Sequence, residues 1–548
     1  MNFFKNLGYL ISILSILVPL KGIEKPKNII FFMADDVGMG DLSYYHRIRT
    51  GEDPIVETPN IDALFERGVR FSQAYTASAL CAPTRYAVAT GRYPTRSITT
   101  MGDWTFTKKS SIDSTTKTIG HVAQEAGYKT AVFGKYSLGG TFYQINSEQT
   151  YTGGDYYTGF TCTPEQRPDI ARGFKSDLPA EKGFDYSFIV PSGHQAPPHA
   201  FFENGQWSKI HSNSEIVNLV VDPAYNSSRD QNVLVPSGSM LGDRGTKKGG
   251  PGPENHGLGD SHWDSRNIGV QTLDKALSFI DKNKSHPFFM YYCALAVHLP
   301  FTPPNTWRGE PLAGTTPHLF LDMVKELDLQ VGELIEKLKT EGLYEDTLFV
   351  FTSDNGGLKV KGAMDLGHHG NNGERGAKCT ATEGGFHVPF AAHWPRAIQP
   401  DTDSDVLLST TDLMATLYHM DGRNIPEDQA LDSFSFWPHL IGQKEALSRE
   451  YLLSQGLFAG HWRARVVRKK DFKLILGEKK RSGGNMRNQF LKADYFPEGL
   501  FHLKTDPLEE KNLVKSPEFQ NKNQDLHAVW TQYLEFTKNE QRSTPTQY

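Results

Sequence analysis

Asn28-Ile-Ile-Phe-Phe-Met-Ala34 runs straight into Asp35-Asp36, so an apolar stretch with no polar face ends abruptly in two carboxylates. A short run that is apolar on both faces reads as a strand buried on both sides, the habit of parallel sheets. The same pattern recurs three times. Thr130-Ala-Val-Phe-Gly134 ends in Lys135, the apolar run after Pro287 ends in His298, and Thr347-Leu-Phe-Val-Phe-Thr-Ser353 ends in Asp354-Asn355. Helical patterns lie between these runs. Thr58-Pro59 is an N-cap with proline at the first helical position, followed by Ile61, Leu64 and Phe65 on one face and a stop at Gly68. Residues 319–341 form a longer amphipathic helix with Leu321, Val324, Leu327, Leu334 and Leu338 inward. Strands alternating with helices predict an α/β fold, a large, mostly parallel mixed sheet flanked by helices. Such sheets bind ligands beyond the carboxyl ends of their strands. Asp, Lys, His and Asp-Asn are all delivered to that edge.

Outside this frame the chain changes character. Residues 140–265 are rich in Gly, Ser, Pro, Tyr and His and read as long functional insertion loops. We divide the chain into a leader (1–22), a catalytic domain (23–430) and a smaller C-terminal α+β subdomain on an antiparallel sheet (431–548). In the last, 450–454 and 463–476 read as strands and 517–537 as a closing helix. The leader holds an uncharged run, Leu7 to Leu20, after Lys5. As a helix it spans roughly 21 Å, short of the roughly 30 Å hydrocarbon core, and it reads as a signal peptide cleaved near Gly22. The mature protein is expected to be periplasmic or secreted and free of the membrane. The 58 Lys and Arg against 63 Asp and Glu give a net charge of −5, which disfavours nucleic acid as a partner. Four scattered cysteines, Cys81, Cys162, Cys293 and Cys379, make neither a disulfide scaffold nor a zinc ribbon.

Two constellations carry chemistry. Asp35, Asp36, Asp354 and Asn355 are all oxygen donors, which suits a hard divalent cation such as Ca²⁺ or Mg²⁺ rather than zinc. One acidic pair at a strand end is more simply a helix cap; two such pairs favour metal. The second constellation is Cys81-Ala-Pro83-Thr-Arg85, ending in Thr90-Gly91. A cysteine at a helix N-terminus is placed to act on anions, and Arg85 one turn on can fork onto an oxyanion. A small buried cysteine, or a thiol nucleophile paired with His298, reads the same residues differently.

Cys81-Ala-Pro83-Thr-Arg85 resembles the C-x-P-x-R signature of the type I sulfatases, members of the alkaline phosphatase superfamily. Asn28 to Asp41 is similar to that family's first strand and metal pair, and Gly127 to Lys135 to its second signature. Residues 351–357, 375–385 and 388–390 follow in family order, and Gly499 to Leu513 is similar to its C-terminal strand and turn. The resemblance covers roughly residues 27–515. It implies an alkaline phosphatase-like fold and a sulfuric ester hydrolase acting on a sulfated carbohydrate. Cys81 would be converted to formylglycine (3-oxoalanine) by a formylglycine-generating or sulfatase-maturating enzyme, and the hydrated aldehyde would be the nucleophile. Asp35, Asp36, Asp354 and Asn355 would bind one Ca²⁺, and Asp354 would also activate the nucleophile. Arg85 would stabilise the aldehyde hydrate, Lys135 and Lys378 would hold sulfate oxygens, and His298 with Lys378 would assist the departing alcohol. One position departs from the pattern. The histidine credited with the later deprotonation step is Ser137 here, and a serine hydroxyl has no pKa useful for that role.

Related readings are a phosphodiesterase or phosphonate monoester hydrolase of the same superfamily, and a catalytically silent sulfated-glycan-binding protein, the latter motivated by Ser137 and the basic stretch 463–481. By family position, the proline-rich loop after Pro191, with His194 and His199, would reach the substrate side, although each histidine alone reads more simply as an exposed one. His368-His369 have no partner spacing for zinc. Residues 463–481 are strongly basic, a solvated face that would also attract a polyanion.

Overall fold

The structure is a computed structural model that describes residues 24–97, 109–152, 167–193, 195, 197–221, 234–236, 257–443, 446–458, 462–477 and 498–539 of the 548. Its main sheet has ten strands. In chain order they are β1 (Asn28–Ala34), β2 (Val69–Phe71), β3 (Lys129–Lys135), β4 (Tyr186–Val190) and β5 (Phe201–Glu203). They continue as β6 (Gln206–Ser208), β7 (Phe288–Cys293), β8 (Thr347–Ser353), β9 (Phe390–His393) and β10 (Thr402–Ser404). Across the sheet they lie as β10-β2-β9-β8-β1-β7-β3-β4-β5-β6.

The four apolar runs with polar ends are the neighbouring strands β8, β1, β7 and β3, all parallel. Register sets Phe32 between Tyr292 and Phe351, with ring centroids 4.8 and 5.7 Å apart. Alternate residues of β1 enter opposite cores. Ile29, Phe31 and Met33 join one, while Ile30, Phe32 and Ala34 join the other. That double burial is why the run has no polar face. Gly134 near the end of β3 is at φ +80°, and a Cβ there would stand 1.9 Å from the Cys293 carbonyl oxygen, so only glycine lets β3 and β7 approach this closely.

The helices carry the other half of each core. They include α1 (Pro59–Arg67), α2 (Cys81–Thr90), α3 (Ile268–Asn283) and α4 (Leu319–Thr340), the last within a residue of the predicted span. Thr58 sits at the predicted cap of α1, but its hydroxyl donates to Asp62 Oδ1 (2.8 Å) instead of accepting a helix amide. The expected insertion at 140–265 is less loop-like than its composition. It contributes β4, β5 and β6, which extend the main sheet past β3. Strands of three to five residues are too short to show a period.

The C-terminal sheet is antiparallel, as expected, with β11 (Tyr451–Phe458), β12 (Trp462–Lys469), β13 (Phe472–Gly477) and β14 (Glu498–His502) in sequence order. The helix α5 (Gln520–Asn539) buries Leu526, Val529 and Tyr533 with Leu453, Val467 and Leu474. The predicted strand 463–476 is a hairpin that reverses at Lys470, where φ is +54°. Upstream of this sheet, Phe436, Trp437 and Leu440 still belong to a core of the main sheet. The solvated basic face is corrected in part. Arg465, Arg468 and Lys473 are buried, the last completely: Arg468 and Lys473 lie on the face of β12 and β13 turned toward the main domain, and Arg465 lies on the other face over Trp530 of α5. Residues 478–481 of that run, and the leader, lie outside the described residues.

Candidate active site

Because β8, β1, β7 and β3 are parallel neighbours, their polar ends meet at one edge. Asp35 and Asp36 follow β1, Asp354 and Asn355 follow β8, Lys135 closes β3, and His298 lies just past β7. The loops interlock there. Val297 donates its amide to the Asp35 carbonyl (2.7 Å) and Asp36 donates its own to Asp354 Oδ1 (3.1 Å). Asp36 takes φ +65°, an unusual conformation for a side-chain-bearing residue, and this turns two consecutive carboxylates into one site.

Cys81 is the first residue of α2, with Leu80 at the N-cap, so the thiol stands at the end of the helix where backbone amides lack helical partners. One turn on, Arg85 is wholly buried. Its Nε and one terminal nitrogen donate to Asp354 Oδ2 (3.1 and 2.7 Å), and the other terminal nitrogen donates to the Lys135 carbonyl (3.0 Å). Lys135 Nζ meets Asp35 Oδ2 at 2.7 Å, and Lys378 Nζ meets Asp36 Oδ1 and Oδ2 at 2.6 and 2.7 Å. His298 donates from Nδ1 to the Leu299 carbonyl (2.6 Å), leaving Nε2 as the atom 3.6 Å from Asp36 Oδ2. Three carboxylates and three fixed cations thus share one buried edge.

Among Asp35, Asp36, Asp354 and Asn355, two buried oxygens have no hydrogen-bond donor: Asp35 Oδ1 and Asn355 Oδ1. An orphaned carboxylate oxygen and an orphaned amide oxygen among further carboxylates are what a hard cation would satisfy, so the residues fit calcium. Single ligand atoms of Asp35, Cys81 and Asp354, and of Asp35, Asp36 and His298, each gather within 4.8 Å.

Burial and the adjacent Asp35 push Asp354 above the ordinary carboxylate range, against the pull of Arg85, Lys135 and Lys378. Burial is the largest single influence and works to lower both lysines, but Asp35, Cys81 and Asp354 together leave Lys135 raised, and Asp36, Cys81 and Asp35 together leave Lys378 well above its usual value. Both stay cationic at neutral pH. The Cys81 thiol is pushed up by burial despite those two lysines. An unmodified thiol is therefore a poor thiolate here, which counts against the cysteine-nucleophile reading.

The insertion reaches this edge. A Cβ on Gly193 would lie 3.2 Å from Lys135 Cδ, and Ser137 donates its amide to the Pro191 carbonyl (2.8 Å). His194, next in sequence, lies outside the described residues. His199 is completely buried, its ring 5.7 Å from that of Trp263 and its backbone bridged to Gly259, so it supports the loop from inside. Sequence reasoning missed the support for the Gly38–Asp41 turn. His368 is buried with Nε2 2.7 Å from Asp41 Oδ1, while Asp41 Oδ2 accepts the Gly38 amide (2.8 Å). The partners are 327 residues apart, and no local pattern announces the pair.

The chain as a whole is similar to known proteins. The sequence profile of the sulfatases matches residues 27–421. An N-acetylgalactosamine-6-O-sulfatase of Bacteroides thetaiotaomicron is 30% identical over 524 residues, covering 90% of each chain. The human N-acetylgalactosamine-6-sulfatase is 29% identical over 434 residues, 77% of this chain and 67% of that one. A solved structure from work on glycosaminoglycan metabolism by B. thetaiotaomicron superposes with a TM-score of 0.73 at 28% identity, covering 93% of this chain and 99% of that one. With the strand-end carboxylates, Cys81 on its helix and the cations around them in place, the chain belongs to the type I sulfatases of the alkaline phosphatase superfamily, and is a sulfuric ester hydrolase.

Proposed function

We propose that this chain is an exported, calcium-dependent sulfatase that removes sulfate from a carbohydrate through formylglycine at Cys81. The observation that carries the reading is the convergence of Arg85, Lys135, Lys378 and His298 on the edge where Cys81 and four oxygen-donor residues meet. Export rests on the leader; among the described residues no helix is long and apolar enough to cross a membrane.

Asp35, Asp36, Asp354 and Asn355 would hold calcium, which supplies positive charge beside a sulfate oxygen. A maturating enzyme would convert Cys81, supplying a hydrated aldehyde as nucleophile. The chain's own groups do the rest. Arg85 is locked by three hydrogen bonds and fixes Asp354 and the end of β3 relative to Cys81. Lys135 and Lys378 are buried cations that need no reorganisation to face the negative charge that spreads during transfer. His298 is oriented through Nδ1, so its Nε2 can hand a proton to the departing oxygen. His194 is proposed to touch the substrate, because its neighbour Gly193 stands against Lys135; His199 shapes the same loop.

The substrate class comes from the two relatives named for N-acetylgalactosamine-6-sulfate, so that sugar heads the panel. Protein co-expressed with a formylglycine-generating enzyme is expected to release sulfate from it. Its kcat/KM should be higher for sulfate monoesters than for phosphate diesters. A reversed ranking would hand the site to the phosphodiesterase reading. Binding of sulfated sugar with no sulfate release would sink the catalytic one.

Ser137 predicts a slow proton-transfer step. It sits at φ +49°, a region that histidine tolerates better than most residues, so Ser137→His is sterically reasonable. Restoring the base is expected to raise kcat by about tenfold or more. Unchanged turnover would mean that the proton leaves by another group.

A further inference from the structure

The loop 375–386 carries Lys378 yet contains only one helical turn, Glu383–Phe386. Turns within the loop and bonds to Gly356 and Gly357 shape it, with Lys378 donating its amide to the Gly357 carbonyl (3.0 Å), and the C-terminal subdomain braces it from outside. Lys473 on β13 is completely buried, with Nζ 3.0 Å from Glu383 Oε1 and 2.7 Å from Glu509 Oε1. Arg468 on β12 donates to Glu383 Oε2 at 2.8 Å, and the Tyr75 hydroxyl donates to the same oxygen at 2.8 Å. Glu509 accepts the Glu383 amide on Oε2 (2.7 Å), and its carbonyl accepts Arg375. Two carboxylates, one ammonium and one guanidinium therefore balance in charge around Glu383, while the Glu509 backbone holds Arg375 at the other end of the loop that presents Lys378.

A second brace runs through Ala79, two residues before Cys81. Gln455 on β11 exchanges backbone hydrogen bonds with this segment, accepting the Ala79 amide (2.8 Å) and donating to the Ala77 carbonyl (3.1 Å). The Ala79 carbonyl in turn accepts the amide of Cys379, the residue after Lys378 (2.8 Å). One subdomain thus holds the approach to Cys81 and the loop of Lys378 in a single frame.

We propose that Lys473, Glu509 and Glu383 are positioning residues for Lys378, which makes the C-terminal subdomain a working part of the catalytic site. Lys473 and Glu509 lie outside the residues matched by the sulfatase profile. A hydrophobic contact would hold the two surfaces together about as firmly, but hydrogen-bonded ions also set direction and register. The register matters here because Glu383 is only five residues from the lysine that contacts Asp36.

The catalytic arm of the test rests on the sulfatase reading; the exchange arm does not. Full-length, calcium-loaded, matured protein is compared with Glu509→Gln, with the double variant Lys473→Met/Glu509→Gln, and with Leu526→Ala. The double variant leaves Glu383 paired with Arg468 and no unmatched buried ion. Leu526→Ala loosens α5 on the opposite face of the sheet from the knot. Glu509→Gln is expected to lower kcat by about ten- to a hundredfold, with a smaller change in KM. Amide exchange across 376–385 should accelerate while β1 stays protected. The double variant should regain thermal stability and keep the fast exchange and low kcat. Leu526→Ala should lose stability and keep both kcat and loop protection. Wild-type exchange in the loop of both knot variants overturns the proposal, as does a kcat loss that Leu526→Ala reproduces at equal Tm. A wild-type protein that hydrolyses no sulfate ester would count against the functional reading, and the exchange arm would still decide this one.

Discussion

Cys81→Ala is expected to abolish sulfate-ester hydrolysis, lowering kcat by about 10⁴-fold or more, the scale on which loss of a covalent nucleophile is felt. Alanine keeps α2, because Cys81 is its first residue and is only partly buried, unlike Ala82 to Thr90. The stability cost should stay near about 1 kcal/mol. The companion measurement is peptide mass spectrometry across residue 81 of matured wild-type protein. Conversion of cysteine to formylglycine lowers the mass by about 18 Da and yields an aldehyde that hydrazides capture. Retained activity in Cys81→Ala would remove the nucleophile from the mechanism. An unmodified, active thiol would restore the cysteine reading, against the upward push that burial gives this group.

Loss of Asp354 should be nearly as severe, for two separable reasons. Its Oδ2 accepts two hydrogen bonds from wholly buried Arg85, and its Oδ1 accepts the Asp36 amide. Asp354→Ala strands the guanidinium in the interior, a loss of roughly 3–5 kcal/mol. Asp354→Asn keeps the volume and an acceptor but removes the charge, and so isolates the metal term. Calcium affinity measured by titration calorimetry is expected to fall more than about tenfold in the Asn variant, with kcat down by about 10²- to 10³-fold. Unchanged calcium affinity in Asp354→Asn would exclude this carboxylate from the coordination shell.

The parts legible in the sequence were those written locally. A buried parallel strand is apolar on both faces, so β1, β3, β7 and β8 announced themselves and brought their polar ends with them. Cys81 to Arg85 spans one helical turn, which makes its chemistry readable without a partner. Within 140–265, residues 186–208 carry strands the composition did not announce, because β4 to β6 are too short for periodicity and gain their order by pairing out from β3. Basic residues in β12 and β13 failed as a solvated face for a related reason. Arg468 and Lys473 are buried because Glu383 and Glu509 wait opposite, 85 and 36 residues away.

By itself, then, the sequence determined the layered α/β sheet, the edge at which ligands gather and the residues that bear charge there, because strand burial and helix capping act over a few neighbouring positions. Only the tertiary structure decided which charges meet: Arg85 with Asp354, Lys378 with Asp36, Lys473 with both Glu383 and Glu509. Electrostatic pairing depends on distance in space and on exclusion of water. Both are set by packing elements far apart in the chain, and neither leaves a period in the sequence.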